Sequence, residues 1–274
     1  MLEKRRYSQS SFYIYAAHHR LFAQFIDPVS DDSGKSPTTL VFLHEGLGSI
    51  AQWRDFPVCL STITGLPALV CERWGYGSSD ALNIPRNVHY LHDEASNSLP
   101  DVLKQTNIND AILIGHSDGG SIALIFAAIH GDKVRGVITE AAHVFVEDVT
   151  ITGIRQAVES YGTTGLKDRL NKFHKSNTDL MFHAWAETWL APWFRNWNIE
   201  EYLSRITCPL LVIQGEDDEY GTSAQVESII SQVGGPVEGF IVSNCGHVPH
   251  HQARERVLYK MARFISSLAH SNEI

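Results

Sequence analysis

The sequence is poor in cysteine, with four in 274 residues, standing singly at Cys59, Cys71, Cys208 and Cys245. No C-x-x-C pair occurs, so reduced and mostly buried thiols are expected rather than a disulfide framework or a cysteine-based zinc site. Basic residues are also scarce: 22 Lys and Arg stand against 31 Asp and Glu, a formal charge of −9. Nucleic acid and anionic membrane surfaces both select concentrated Lys and Arg, so neither is an expected partner. No apolar run is long enough to span a bilayer. Only Lys4-Arg5-Arg6 forms a basic cluster, and no apolar stretch follows it, which argues against a signal peptide. Low-complexity tracts and internal repeats are missing too. The expectation is a soluble, cytoplasmic chain, monomer or homodimer, acting on a small molecule.

What is present is a core. Hydrophobic residues make up 43% of the chain, enough for one large domain or a domain with an insertion. Residues 11–26 hold two strand-like runs around a polar centre, a hairpin pattern, and Asp27 to Pro37 is a polar loop. Thr39 to His44, Ala68 to Glu72, Ile112 to Gly115, Val134 to Ala142, Pro209 to Gly215 and Val237 to Ser243 are apolar runs of the kind buried in a parallel sheet. Helical spacing separates them. One such stretch, Leu91 to Gln105, carries Pro100, which predicts a kink or break. The alternation implies a doubly wound α/β fold. It lapses between about 148 and 205, where only helices are expected. The domain reading is a core of 1–147 and 206–274 with a helical cap of 148–205.

Gly115-His116-Ser117-Asp118-Gly119 is a G-x-S-x-G pattern between a strand and a small-residue helix. A sharp strand-to-helix turn leaves no room for Cβ atoms beside its central residue, and it pushes that residue's hydroxyl out at the strand end. An ordinary Gly-rich turn gives the same pattern, so the other strand ends must decide. In an open parallel sheet, ligands bind beyond those carboxyl ends. Glu216-Asp217-Asp218-Glu219 follows one strand and Cys245-Gly246-His247 follows the last. Each type has a task. A serine hydroxyl needs a base, a neutral imidazole can take its proton near neutral pH, and a buried carboxylate fixes the imidazole tautomer. A solvated acidic turn and a helix-capping histidine, with His250 and His251 as equal candidates, would explain the parts separately. The order Ser, acid, His at three strand ends favours a triad.

Over nearly its whole length the sequence resembles the α/β-hydrolase superfamily. The resemblance rests on the 115–119 elbow, on His44 to Ser49 followed by Trp53, on Arg73-Trp74-Gly75-Tyr76-Gly77-Ser78-Ser79, and on the acid and histidine patterns. It implies Ser117 as nucleophile, Asp218 (with Asp217 in reserve) as acid, His247 as base, and the Gly46 and Asp118 amides as the oxyanion hole. It implies no cofactor and no metal. Glu45 stands where the family usually has Gly, beside the place where negative charge develops; it either points away and hydrogen-bonds elsewhere or, as a substrate-binding candidate, takes part in a substrate-specific step. Glu72 replaces a common Asp, a difference read as structural. Trp185, Trp189, Trp193 and Trp197 recur every four residues in the cap, although Pro192 should end the helix before Trp193. Most of these rings are expected to pack the cap, with Trp185 and Trp189 as pocket candidates. His183 and Arg155 fit a surface role better than a substrate contact. The expected reaction is hydrolysis of a small or medium carboxylic ester. Alternatives are carbon–carbon or enol-lactone hydrolysis on the same residues, acyl transfer to alcohols, and a non-catalytic receptor.

Overall fold

A computed structural model describes residues 7–28, 37–83 and 85–270. Lys4–Arg6 and most of the Asp27–Pro37 loop lie outside that range. Eight strands form one sheet in the order β1-β2-β4-β3-β5-β6-β7-β8. They are β1 (Tyr7–Ala16), β2 (His19–Pro28), β3 (Thr38–Leu43), β4 (Ala68–Cys71), β5 (Asp110–His116), β6 (Val134–Glu140), β7 (Leu210–Gly215) and β8 (Val237–Val242). Strands β4, β3, β5, β6, β7 and β8 pair in parallel, and the β1–β2 hairpin joins β4 antiparallel at one edge.

Every residue of β3, β4 and β7 is buried, because helices cover both faces of the parallel strands. Alternate residues serve opposite layers. In β3, Leu40 and Phe42 face the layer containing Trp53, Phe56, Val257, Met261 and Ile265. Val41 and Leu43 face the layer containing Leu103, Ile122 and Phe126. The helices are α1 (Phe56–Thr64), α2 (Tyr90–Asp93), α3 (Leu99–Gln105), α4 (Asp118–Ile129), α5 (Asp148–Thr163), α6 (Leu166–His174), α7 (Thr178–Leu190), α8 (Glu200–Leu203), α9 (Ser223–Gln232), α10 (Pro249–Gln252) and α11 (Arg254–His270). Pro100 does not break its helix. The helical run continues from α2 through a π-helical turn at Glu94–Ser98 into α3, so the irregularity expected at Pro100 takes the form of that turn just before it rather than of a break. Pro192 does act as a stop, since α7 ends at Leu190.

Between β6 and β7 the named elements are all helical, α5 to α8. A bridge between Phe145 and Asn198 closes this segment at its base. Successive strands run one way from β3 to β4 and the other way from β5 onward, so the order reverses between β3 and β5. That is where a doubly wound sheet leaves a crevice at its carboxyl edge. Register pairs Leu43 with Gly115 and His116 with Glu140. The loop after β3 therefore lies beside the turn after β5.

Candidate active site

Ser117 sits between β5 and α4 with φ 52° and ψ −116°, a conformation that non-glycine residues rarely adopt and that concentrates at functional turns. Its N–H donates to the Glu140 carbonyl at 2.8 Å, and its own carbonyl accepts from Gly120 N at 2.8 Å. The flanking glycines are sterically required. A Cβ at Gly115 would stand 2.2 Å from the Gly119 carbonyl oxygen, and one at Gly119 would stand 2.0 Å from the Leu43 carbonyl oxygen. Asp118 opens α4, so its N–H belongs to the first turn and has no intrahelical acceptor. Its buried carboxylate accepts from Arg73 at 3.4 Å and from the Tyr90 hydroxyl at 2.9 Å.

Beyond β7, Asp218 is buried and Asp217 is exposed. The Asp218 carboxylate accepts from His247 Nδ1 at 2.8 Å, from Gln214 Nε2 at 2.6 Å and from Tyr220 N at 2.8 Å. Burial alone would raise the pKa of Asp218, but the charge and hydrogen bond of His247 and the Tyr220 N–H outweigh it and hold it below the ordinary value. Burial works against the imidazolium of His247, yet Asp218, with Glu45 and Glu219 farther off, raises its pKa above the usual histidine value. With Nδ1 committed to Asp218, the neutral imidazole has its lone pair on Nε2. His247 and Ser117 line one cavity of about 50 Å³.

The loop after β3 is tied at its first two residues. Arg73 N donates to His44 Nε2 at 3.1 Å, which leaves the proton on Nδ1, and that nitrogen donates to the Glu45 carbonyl at 2.8 Å. Arg73 Nη2 reaches the same carbonyl at 2.7 Å. Gly46 is also required: Trp185 lies against it, and a Cβ there would come 2.3 Å from Trp185 Nε1. Glu72 ties this loop to the next turn, accepting from Ile50 N at 3.3 Å and Ser78 N at 2.6 Å, the structural role expected of it.

The profile of the alpha/beta hydrolase family matches residues 40–258. The chain belongs to that family. The hydrolase is similar to a proline iminopeptidase of Saccharolobus solfataricus, at 23% identity over 87% of this chain and 88% of that one. Among solved structures it resembles the 2-hydroxy-6-oxo-6-phenylhexa-2,4-dienoate hydrolase of Rhodococcus sp. strain RHA1, with TM-score 0.75, 12% identity and coverage of 94% and 99% of the two chains. It also resembles the enol-lactonase of Burkholderia xenovorans LB400, with TM-score 0.70, 17% identity and coverage of 93% and 100%. At these identities the structural likeness establishes the fold alone.

In this hydrolase the chain brings Ser117, Asp118, Gly46, Glu45, Trp185, Trp189 and His247 to one cavity, with Asp218 behind His247. His183 is exposed and pairs with Glu187, and Arg155 lines a different surface depression. Trp193 is 51% exposed, while Trp197 packs against Trp189 and Phe194 in the helical segment. His250 pairs with the buried Glu140 rather than with Asp218. The four cysteines are free, but only Cys71 and Cys245 are buried. Burial pushes the Cys245 thiol up to about 11, which disfavours the thiolate a nucleophile needs.

Leu47 of the β3 loop also lines the cavity, and sequence reasoning missed the remaining wall residues His143, Tyr220, Thr150 and Ile154. It also missed the partner of Glu45, which is His116. Glu45, His116 and His247 are the one group of three donors, among the described residues, whose ligand atoms lie within 4.8 Å of one another. No helix among the described residues is long and apolar enough to cross a membrane.

Proposed function

We propose that this hydrolase cleaves a small or medium carboxylic ester through an acyl-enzyme intermediate. The observation that carries the reading is the strained, glycine-flanked Ser117 sharing a cavity with an imidazole whose far nitrogen is fixed by a buried carboxylate. Ser117 Oγ attacks the carbonyl carbon as His247 Nε2 takes its proton. The oxyanion forms between the Gly46 and Asp118 N–H groups, donors of a kind worth ~3 kcal/mol each in the transition state. The intermediate collapses, the C–O bond breaks, and His247 protonates the departing alcohol. Water then attacks the acyl-enzyme by the same route in reverse and frees the acid. Asp218 orients His247 and stabilises its charged form.

Helices α5 to α8, residues 148–205, act as the lid on a core of 1–147 and 206–274. Trp185 and Trp189 form the apolar wall against which the acyl chain packs. The same residues would serve an enol lactone or a vinylogous diketone. The small cavity beside Ser117 favours a compact ester or lactone over the longer diketone.

The test compares wild type with Ser117→Ala on p-nitrophenyl acetate and on p-nitrophenyl esters of longer acids. Wild type should prefer the shorter acyl chains and label with a fluorophosphonate probe. The variant should lose at least ~10⁴-fold in rate and all labelling, while its circular dichroism is unchanged. Wild-type activity in Ser117→Ala would sink the assignment, and no labelling of folded wild-type protein would favour a receptor.

A further inference from the structure

Three acceptor atoms converge where the serine cavity meets its neighbour. Glu45 is part of the wall of the first cavity and of a second one of about 270 Å³, which His116 also lines, while His247 lines the first. Hydrogen bonds decide which nitrogen of each ring is free. His116 Nε2 lies 2.7 Å from the His247 carbonyl oxygen. A carbonyl only accepts, so Nε2 carries the proton and Nδ1 of the neutral ring holds the lone pair. His247 Nδ1 is committed to Asp218 at 2.8 Å, which leaves Nε2 as the free atom of that ring. His116 Nδ1 stands 3.6 Å from Glu45 Oε2, too far for a hydrogen bond. A carboxylate and an imidazole lone pair therefore lie side by side with no hydrogen bond between them.

Such a group of acceptors suits a cation. Two imidazoles and a carboxylate make up the donor set of three-ligand zinc sites, whose fourth position holds water. Tetrahedral coordination by nitrogen and oxygen puts ligand atoms roughly 3.4 Å apart. Glu45 and His116 are already near that spacing, and all three ligand atoms lie within 4.8 Å of one another. Glu45 is the least buried of the three, with a side chain 23% exposed, so it is the ligand free to close the set. Metal-binding histidines characteristically give their other nitrogen to a carboxylate or a backbone carbonyl, which fixes the ring. Both rings do so here, His247 to Asp218 and His116 to the His247 carbonyl. The surrounding charge is also favourable: Asp118, Asp218 and Glu219 act on these ligands, against Arg73, which is itself paired with Asp118.

We propose that Glu45, His116 and His247 bind a divalent cation of the zinc class, and that the bound ion switches the hydrolase off by occupying His247 Nε2. That is the atom that must take the Ser117 proton. The inference rests on Ser117 and His247 as nucleophile and base, and adds a regulation of that site. Nitrogen ligands select zinc or copper(II) over magnesium and calcium, which take oxygen ligands. Coordination displaces any proton held by the ligand atoms, so the site does not depend on the protonation of Glu45 beforehand.

Isothermal calorimetry of chelator-treated protein with zinc chloride tests it, on wild type and on Ser117→Ala, where binding is read without turnover. Both should bind one zinc ion at micromolar concentration, and neither should bind magnesium at millimolar concentration. Glu45→Gln should weaken zinc at least tenfold, and so should His116→Gln, whose amide can still donate to the His247 carbonyl. Cobalt(II) in place of zinc should give the intense visible absorption of a four-coordinate site, lost in both variants. In wild type the same zinc concentrations should stop p-nitrophenyl acetate hydrolysis and fluorophosphonate labelling, and excess EDTA should restore both. Failure of zinc to bind, affinity indifferent to either substitution, or undiminished activity of the zinc-saturated enzyme would each overturn the inference. The nucleophile assignment is decided separately, by labelling of the metal-free enzyme, and it can fail while Ser117→Ala still binds zinc.

Discussion

Asp218 shows how much depends on one buried carboxylate. It accepts three hydrogen bonds, from His247, Gln214 and Tyr220, so its replacement by Asn would keep the shape while putting a competing donor against His247. Asp218→Asn is expected to lower kcat by about 10⁴-fold with little change in KM. The pH profile gives an independent check. His247 must be neutral to act as base, so kcat/KM falls as pH drops through its pKa. Because Asp218 outweighs burial and raises that pKa, the wild-type acid limb should lie above the ordinary histidine value. The residual activity of Asp218→Asn should show the limb displaced to lower pH. Position alone made Asp218 legible in sequence, three residues after the strand-ending glycine, and burial separates it from Asp217. The pairing of Glu45 with His116 was not legible, because it depends on how the β3 loop settles beside the β5 turn.

At the scale of the element, the strand-to-helix turn after β5 is built on clearances. Gly119→Ala would drive a methyl into the Leu43 carbonyl at the end of β3. The turn and the neighbouring strand would have to part, at a cost on the order of 3 kcal/mol. Denaturant unfolding should show that loss, with esterase activity falling alongside. Gly131→Ala is the control: nothing lies within 4 Å of its added Cβ, and its stability should stay near wild type. Strands and turn were readable because buried parallel strands are apolar along their whole length and glycine marks close approach. The π-helical turn before α3 was not. Pro100 signals only that the helix must change there, and packing against the sheet decides how.

The whole molecule joins two parts that composition could not connect. The sheet brings the ends of β3, β5, β7 and β8 together, and the helical segment contributes Trp185 against Gly46 and Trp189 to the wall of the cavity that Ser117 lines. Trp189 Nε1 donates to the Tyr90 hydroxyl at 2.8 Å, and Tyr90 donates to Asp118, a continuous link from α7 to the first residue after the serine. Spacing placed the tryptophans on a helix, but which rings face the serine depends on how that helix docks. The central claim is that Ser117 becomes acylated during turnover. Its most direct test is to mix the enzyme with p-nitrophenyl acetate, quench in acid and map the digest by mass spectrometry. An acetyl group is expected on Ser117, present early in the reaction and missing in Ser117→Ala. Turnover with no acyl group on Ser117, or with the acyl group on another side chain, would contradict it.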